Sequence, residues 1–196
     1  MNEENKGQYI SQIGVDVSLI SFMAVISVFF SSTLIPKFDS YNLFIKVPLS
    51  FLIISTFGFI FSALILSNTI QELIHNNFEK AKKHILYGYI ISEYIGIYLF
   101  ILSIPLLVNI ITTDFYLRIV TLLSALLGIT FYQFMRFSIL QTHFPKTHKI
   151  FSILVVLFGL LLFFSQTYGL YFVEISTVFL IFILLLTCLA PNKNFN

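Results

Sequence analysis

Long runs of apolar residues dominate the chain, and only short polar connections separate them. The runs are about 20 residues long, which is the length that a helix needs to cross the hydrocarbon core of a bilayer. They are also continuous, whereas the strands of a membrane barrel would alternate apolar and polar residues, so helices are indicated. The pattern therefore predicts an all-α bundle of six transmembrane helices that forms a single domain over residues 1–196. The predicted spans are 15–35, 47–69, 85–111, 116–138, 150–168 and 172–190.

Proline and glycine residues support these limits. Pro36 follows the first span, Pro48 stands in the first turn of the second, and Pro191 follows the last, where a proline is tolerated or stops a helix. As a single helix the segment 150–190 would be about 60 Å long, which is twice the hydrocarbon thickness. We therefore predict two helices and a tight hairpin at Gly169.

The charged residues indicate that the helices lie in a membrane and on which side the termini lie. Only 10% of the residues are charged and 58% are hydrophobic, whereas soluble domains carry about 25% charged residues. With six spans, eight Lys and Arg residues fall on one side of the membrane and three on the other. The positive-inside rule then places both termini in the cytoplasm, which predicts a multi-pass protein of the plasma membrane.

The basic residues also indicate which binding partners to expect. The net charge is +2 and the basic residues are scattered, so nothing indicates nucleic acid. The predicted surroundings are the lipid bilayer, together with a second copy of the chain or another membrane protein.

The connection 67–84 has helical character, so the second span is expected to continue past the lipid surface. Glu72 and His75 within it are one turn apart, as metal ligands can be, but the pair occurs once and outside the lipid. A solvated pair is the favoured interpretation, and the sequence predicts neither a metal nor a cofactor.

Glu93 is the strongest candidate for a functional residue. It lies about 12 Å from the cytoplasmic end of the third predicted span, within the hydrocarbon region. A carboxylate at that depth costs at least about 2.5 kcal/mol, so it must face the bundle interior and find a partner or stay protonated.

The fourth span runs in the opposite direction and brings further polar residues to a similar depth. We hypothesise that Glu93 and Arg136 form a partly buried ion pair, to which Tyr89, Tyr132 and Gln133 add hydrogen bonds. Two interpretations stay open, a site for a proton, cation or substrate and a clamp between two helices.

Small residues recur every four positions around Glu93, at Gly88, Ser92 and Gly96, and again in the fourth span at Ser124 and Gly128. Such stripes let helix backbones approach closely in lipid, so we predict that both faces pack against other helices.

Other polar residues have structural interpretations. Hydroxyl stripes in the first two spans are expected to bond to their own helix carbonyls rather than to line a wet path. Pro105 predicts a kink. Four charged residues are expected to be solvated at span ends, namely Asp16, Asp114, Arg118 and Glu174.

Three function classes follow. The usual sequence signals of enzymes are missing, whereas the buried acid, the polar stripes and the kink at Pro105 favour a small transporter or channel with Glu93 in its polar site. The alternatives are a non-catalytic subunit or assembly factor of a membrane complex, and an intramembrane enzyme that modifies a lipid.

Overall fold

The computed structural model of the protein describes residues 3–36, 42–134 and 145–189. The backbone of these segments forms six helices and no strand, which confirms the predicted all-α class. Five helices are long and apolar enough to cross a membrane, and the last is a shorter apolar helix. They are α1 Glu3–Leu34, α2 Leu43–Ile74, α3 Phe78–Ile111, α4 Phe115–Phe134, α5 Pro145–Tyr168 and α6 Phe172–Leu189.

The helix α2 is longer than its predicted span at both ends. Asn42 caps its start, where the Oδ1 atom accepts a hydrogen bond of 3.3 Å from the Ile45 amide. Pro48 consequently lies inside the helix, not in its first turn as predicted. At the other end α2 continues to Ile74, which confirms the expected extension past residue 69.

The turn between α2 and α3 is a Schellman motif with asparagine in the left-handed position. Asn76 has a φ of 59°, and the Asn77 amide donates to the Glu72 carbonyl at 2.8 Å. Asparagine is one of the few residues that adopt this conformation readily, so the helix stops here.

The predicted hairpin between α5 and α6 is present. Gly169 has a φ of 70°, and the Leu170 amide donates to the Ser165 carbonyl at 3.0 Å, which again is the Schellman pattern. The chain then turns directly into α6.

The helices α2 and α3 form the centre of the bundle. One apolar cluster lies between α1, α2 and α3, and a second joins α2 and α3 to α4, α5 and α6. Phe179 of α6 connects two helices in the second cluster, with ring centroids 5.9 Å from Phe51 of α2 and 5.3 Å from Phe158 of α5.

The contact between α1 and α2 contains a cluster of buried hydroxyl groups. The Ser27 hydroxyl lies 3.1 Å from both the Leu52 carbonyl and the Ser55 hydroxyl, and Thr56 donates to Ser27 at 2.8 Å. The expectation that these hydroxyls bond within their own helices is therefore incomplete, because Ser27 links α1 to α2. Such bonds hold helices together where lipid offers no polar partner.

The small-residue stripe of α3 packs closely against α2. A Cβ atom added to Gly88 would lie 2.7 Å from Leu66, and one added to Gly96 would lie 2.6 Å from the ring of Phe59. Ser92 between them is buried. This face meets a neighbouring helix, as the spacing predicts.

The stripe of α4 behaves differently. Ser124 and Gly128 are exposed, and a Cβ atom added to Gly128 would meet no atom within 4 Å. The packing prediction is wrong for these two residues within one chain, because α4 turns its other face, which carries Leu122 and Ile129, toward the core.

Gly96→Ala is expected to lower the free energy of unfolding by about 1–3 kcal/mol, because the new methyl group overpacks against Phe59. Gly128→Ala is the matched control, and it should be neutral or stabilise by about 1 kcal/mol through helix propensity alone. Thermal unfolding of both variants in detergent measures the difference. Equal melting temperatures for the two variants would contradict the close approach of α2 and α3.

Candidate functional site

The middle of α3 is a π-helical segment, Ile91–Ile97, in which the Tyr98 amide bonds to the Glu93 carbonyl five residues earlier. The helix α2 contacts α3 before this segment, at Gly88, and near its end, at Gly96. The Ser62 hydroxyl donates to the Gly88 carbonyl at 2.7 Å, and Phe59 fills the space beside Gly96. Single π-helical turns occur often at functional sites, which draws attention to the carboxylate within this one.

Glu93 is only 2% exposed. Its Oε1 atom accepts a hydrogen bond of 2.9 Å from the Tyr98 hydroxyl, which also lies 3.4 Å from the Ser152 hydroxyl of α5. In a regular α-helix residues three or four apart share a face, whereas residues five apart do not. The wider π-helical turn therefore brings the Tyr98 hydroxyl to the carboxylate.

Tyr94 completes the contact between α3 and α5. It is 3% exposed, and its ring meets Phe151 edge to face, with centroids 6.3 Å apart. Its centroid lies 5.8 Å from that of Tyr98. The carboxylate thus lies beside two aromatic rings that also position the start of the α5 span.

A second carboxylate lies nearby. Asp16, in the first half of α1, is partly buried and accepts a hydrogen bond on Oδ2 from the Tyr89 hydroxyl. The expectation that Asp16 is a solvated residue at a span end misses this contact, because α1 begins well before residue 15.

Tyr89 makes a different contact from the one predicted. It donates to Asp16 of α1, while Tyr132 of α4 is partly buried. Arg136 and the side chain of Gln133 lie outside the described part of the chain, so their predicted contacts with Glu93 stay predictions.

Sequence reasoning missed Tyr98 and Ser152. Tyr98 is five residues from Glu93, an offset that α-helical periodicity assigns to a different face. The fragment ISEYIGI at 91–97 could have drawn attention to an irregular turn through its glycine, but glycine also fits the ordinary packing stripe.

A separate polar cluster lies near the opposite end of α3. Asn109 Nδ2 donates to Gln166 Oε1 at 3.0 Å and to Thr167 Oγ1 at 3.1 Å, and Gln166 Nε2 donates to the Phe44 carbonyl at 3.3 Å. Proline at position 48 has no amide to offer the carbonyl four residues earlier, which belongs to Phe44. Gln166 supplies the missing donor and links α5 to α2 and α3.

An apolar layer separates the two polar clusters. The side chains of Leu102, Leu106 and Leu162 are at most 2% exposed. Leu102 packs closely against Gly159 of α5, since a Cβ atom added to this glycine would lie 2.8 Å from the Leu102 side chain. The distance along α3 from Tyr98 to Asn109 is about 17 Å. The helices α3 and α5 are therefore tightly packed between the two polar clusters.

The remaining charged candidates lie at helix ends. Glu72 forms an ion pair with Lys80 and accepts a hydrogen bond of 3.0 Å from Asn77. Asp114 caps α4, with Oδ1 accepting from the Leu117 amide at 3.0 Å. Within residues 3–36, 42–134 and 145–189, no three His, Cys, Asp or Glu side chains are grouped as a metal site requires.

Comparison of the chain with the models of known protein families, with characterised proteins and with solved structures finds no match in any of the three.

Gln166→Met is expected to destabilise the protein by about 1–3 kcal/mol, because the partly buried Phe44 carbonyl and the Asn109 amide lose their partner while the volume is nearly kept. The exposed Thr177, whose hydroxyl bonds only within its own helix, offers the control Thr177→Val. That change should stay within about 0.5 kcal/mol of the parent protein. Chemical or thermal unfolding in detergent tests both, and a Gln166→Met protein as stable as the control would contradict the role of the amide cluster.

Proposed function

We propose that the protein is a small transporter or channel of the plasma membrane, in which Glu93 is the site that binds a proton or another cation. The six helices cross the bilayer, and both termini lie in the cytoplasm. The single observation that carries the proposal is a carboxylate, 2% exposed, within a π-helical turn of a membrane-spanning helix.

Burial of this group has an energetic consequence that favours function. An acid in the hydrocarbon region is costly whether it stays ionised among polar partners or takes up a proton, and such residues commonly mark ion or proton pathways. Glu93 accepts a hydrogen bond from Tyr98 of α3, whose hydroxyl lies near Ser152 of α5, so a change in the charge of Glu93 acts on the contact between these two helices.

The tight packing of α3 against α5 supports a carrier more than an open pore. Leu102, Leu106 and Leu162 are fully buried between the two polar clusters. Transport then requires the helices around this layer to move after Glu93 has bound or released its ion. The polar cluster at Asn109 and Gln166 joins three helices beyond these leucines, so such a movement would change its hydrogen bonds.

The topology also has support from side-chain contacts. Lys6 Nζ donates to Asn76 Oδ1 at 2.7 Å, so the start of α1 lies beside the turn between α2 and α3. Helices α1 and α2 then form an antiparallel pair, as consecutive spans do, and the basic residues Lys80, Lys82 and Lys83 follow on the same side. Positive charge on this side favours the cytoplasm.

The test is ion flux into liposomes that contain the purified protein. The parent protein is expected to carry protons, Na⁺ or K⁺ faster than empty liposomes, and Glu93→Gln should reduce the flux to that background. Glu79→Gln is the matched control, because it makes the same change at an exposed position of α3. Full flux in a folded Glu93→Gln protein would remove the functional role of this carboxylate.

A second candidate is a subunit of a larger membrane complex. It is favoured by the outward-facing small residues Ser124 and Gly128 of α4, since small residues four apart promote helix contacts in lipid. The prediction is stoichiometric co-purification of a membrane protein from native membranes, reduced by Gly128→Leu. Recovery of the chain alone from mild detergent would contradict this candidate.

A further inference from the structure

The exposed side of the first turns of α3 carries two adjacent lysines and an aromatic side chain. Lys82 and Lys83 are exposed, and Tyr87 is 39% exposed one turn further along the helix. Lys83 and Tyr87 lie on one face because they are four residues apart, and Lys82 is adjacent to this face. These three residues form the basic surface of α3.

The basic surface lies at the level of lipid headgroups. Helix α2 has 32 residues and α3 has 34, so they are about 48 and 51 Å long, whereas the hydrocarbon core is about 30 Å thick. When centred on the core, such helices extend about 10 Å beyond it at each end, through the whole headgroup layer. Lys82 and Lys83 are about 6–8 Å along α3 from its first residue, and long helical side chains point toward the helix N-terminus. Their ammonium groups therefore reach the level of the lipid phosphates.

The acidic residues at this end of α1, α2 and α3 are paired or lie nearer the water. Glu72 forms an ion pair with Lys80. Lys6 bonds to Asn76, so the start of α1 lies beside the turn between α2 and α3. The other acidic residues lie on the water side of the basic surface, because they come earlier in α3 or before Lys6 in α1, at Glu79, Glu3 and Glu4. These three helices therefore present positive charge at the phosphate level.

The opposite end of the bundle differs. Arg118 Nε donates to the Thr112 carbonyl at 2.6 Å, and Lys46 is partly buried and has a partner. Exposed tyrosines are present there, such as Tyr116 at 73% and Tyr168 at 71%. Tyrosine is enriched at both membrane interfaces and is uncharged at neutral pH. Among the residues that the structure describes, exposed lysine or arginine side chains thus occur at one end only.

We propose that the basic surface binds an anionic phospholipid, whose phosphate group lies beside Lys82 and Lys83 while the upper part of its acyl chains lies beside Tyr87. Lysine binds phosphate as a compact positive charge with three hydrogen-bond donors. Basic residues next to a membrane span attract lipids of negative net charge. The binding goes beyond the proposed transport and does not depend on it, although the lipid contacts the helix that carries Glu93, about 15 Å deeper than Lys83.

An introduced tryptophan can report on the lipid beside one position, because the chain contains no tryptophan of its own. Tyr87→Trp keeps an aromatic ring with a hydrogen-bond donor at the basic surface, and a lipid brominated on its acyl chains quenches the fluorescence on contact. The protein is reconstituted in phosphatidylcholine with increasing amounts of brominated phosphatidylglycerol or, for the neutral lipid, brominated phosphatidylcholine. The anionic lipid is expected to bind at least about fivefold more tightly, since a lysine near the membrane surface contributes about that factor.

Two pairs of substitutions test the role of the lysines in the Tyr87→Trp protein. Lys82→Gln with Lys83→Gln should abolish the preference for the anionic lipid, whereas Lys82→Arg with Lys83→Arg should retain it, because the positive charge is kept. Tyr116→Trp in the otherwise unchanged chain is the matched control, since it places the same reporter at an exposed position of the opposite end. No preference is expected there.

Each other outcome overturns the proposal. Equal quenching by both lipids in the Tyr87→Trp protein, or a preference that survives the change of both lysines to Gln, would show that these side chains do not select the lipid. An equal preference in the Tyr116→Trp protein would show that the selection is not a property of the basic surface. Weak quenching by both lipids would show that a second copy of the chain or another protein covers this surface. None of these measurements uses ion flux, so this proposal and the proposed function can fail separately.

Discussion

A carboxylate buried in an apolar helix bundle must find polar partners, since an isolated charge or an unsatisfied polar group costs several kcal/mol in such surroundings. Glu93 is accommodated by a change in the backbone itself. The π-helical segment of α3 brings Tyr98 to its carboxylate, and Ser152 of α5 extends the contact to another helix. The position of α5 on α3 thus depends on the same irregular turn that accommodates the acid.

The same requirement explains the polar contacts elsewhere in the bundle. Pro48 removes an amide from α2, and Gln166 of α5 supplies a donor to the Phe44 carbonyl that this proline leaves free. Ser62 of α2 bonds to a carbonyl at the start of the irregular part of α3. In each case a side chain from a neighbouring helix satisfies backbone polarity, so irregular backbone and helix packing are coupled.

Two levels of α3 carry polar side chains that contact other helices, and leucine side chains pack between these levels where α3 meets α5. One level contains two carboxylates and several tyrosines, and the other contains the amides of Asn109 and Gln166. The carboxylates of Glu93 and Asp16 belong to the first level, so a change of protonation there alters the electrostatics of that half of the bundle. The amide cluster of the other half carries no charge to be altered.

The sequence by itself determined the all-α class, the six helices and the hairpin at Gly169, and it drew attention to the acid at position 93, because span length, turn chemistry and the cost of a buried charge are local properties. It also identified the close face of α3, although the same spacing was misleading for Ser124 and Gly128, which face outward. Only the tertiary structure decided that Tyr98, Ser152 and Asp16 belong to the polar region. Their contacts depend on a π-helical register and on which helices are neighbours, and neither follows from residue spacing along a regular helix.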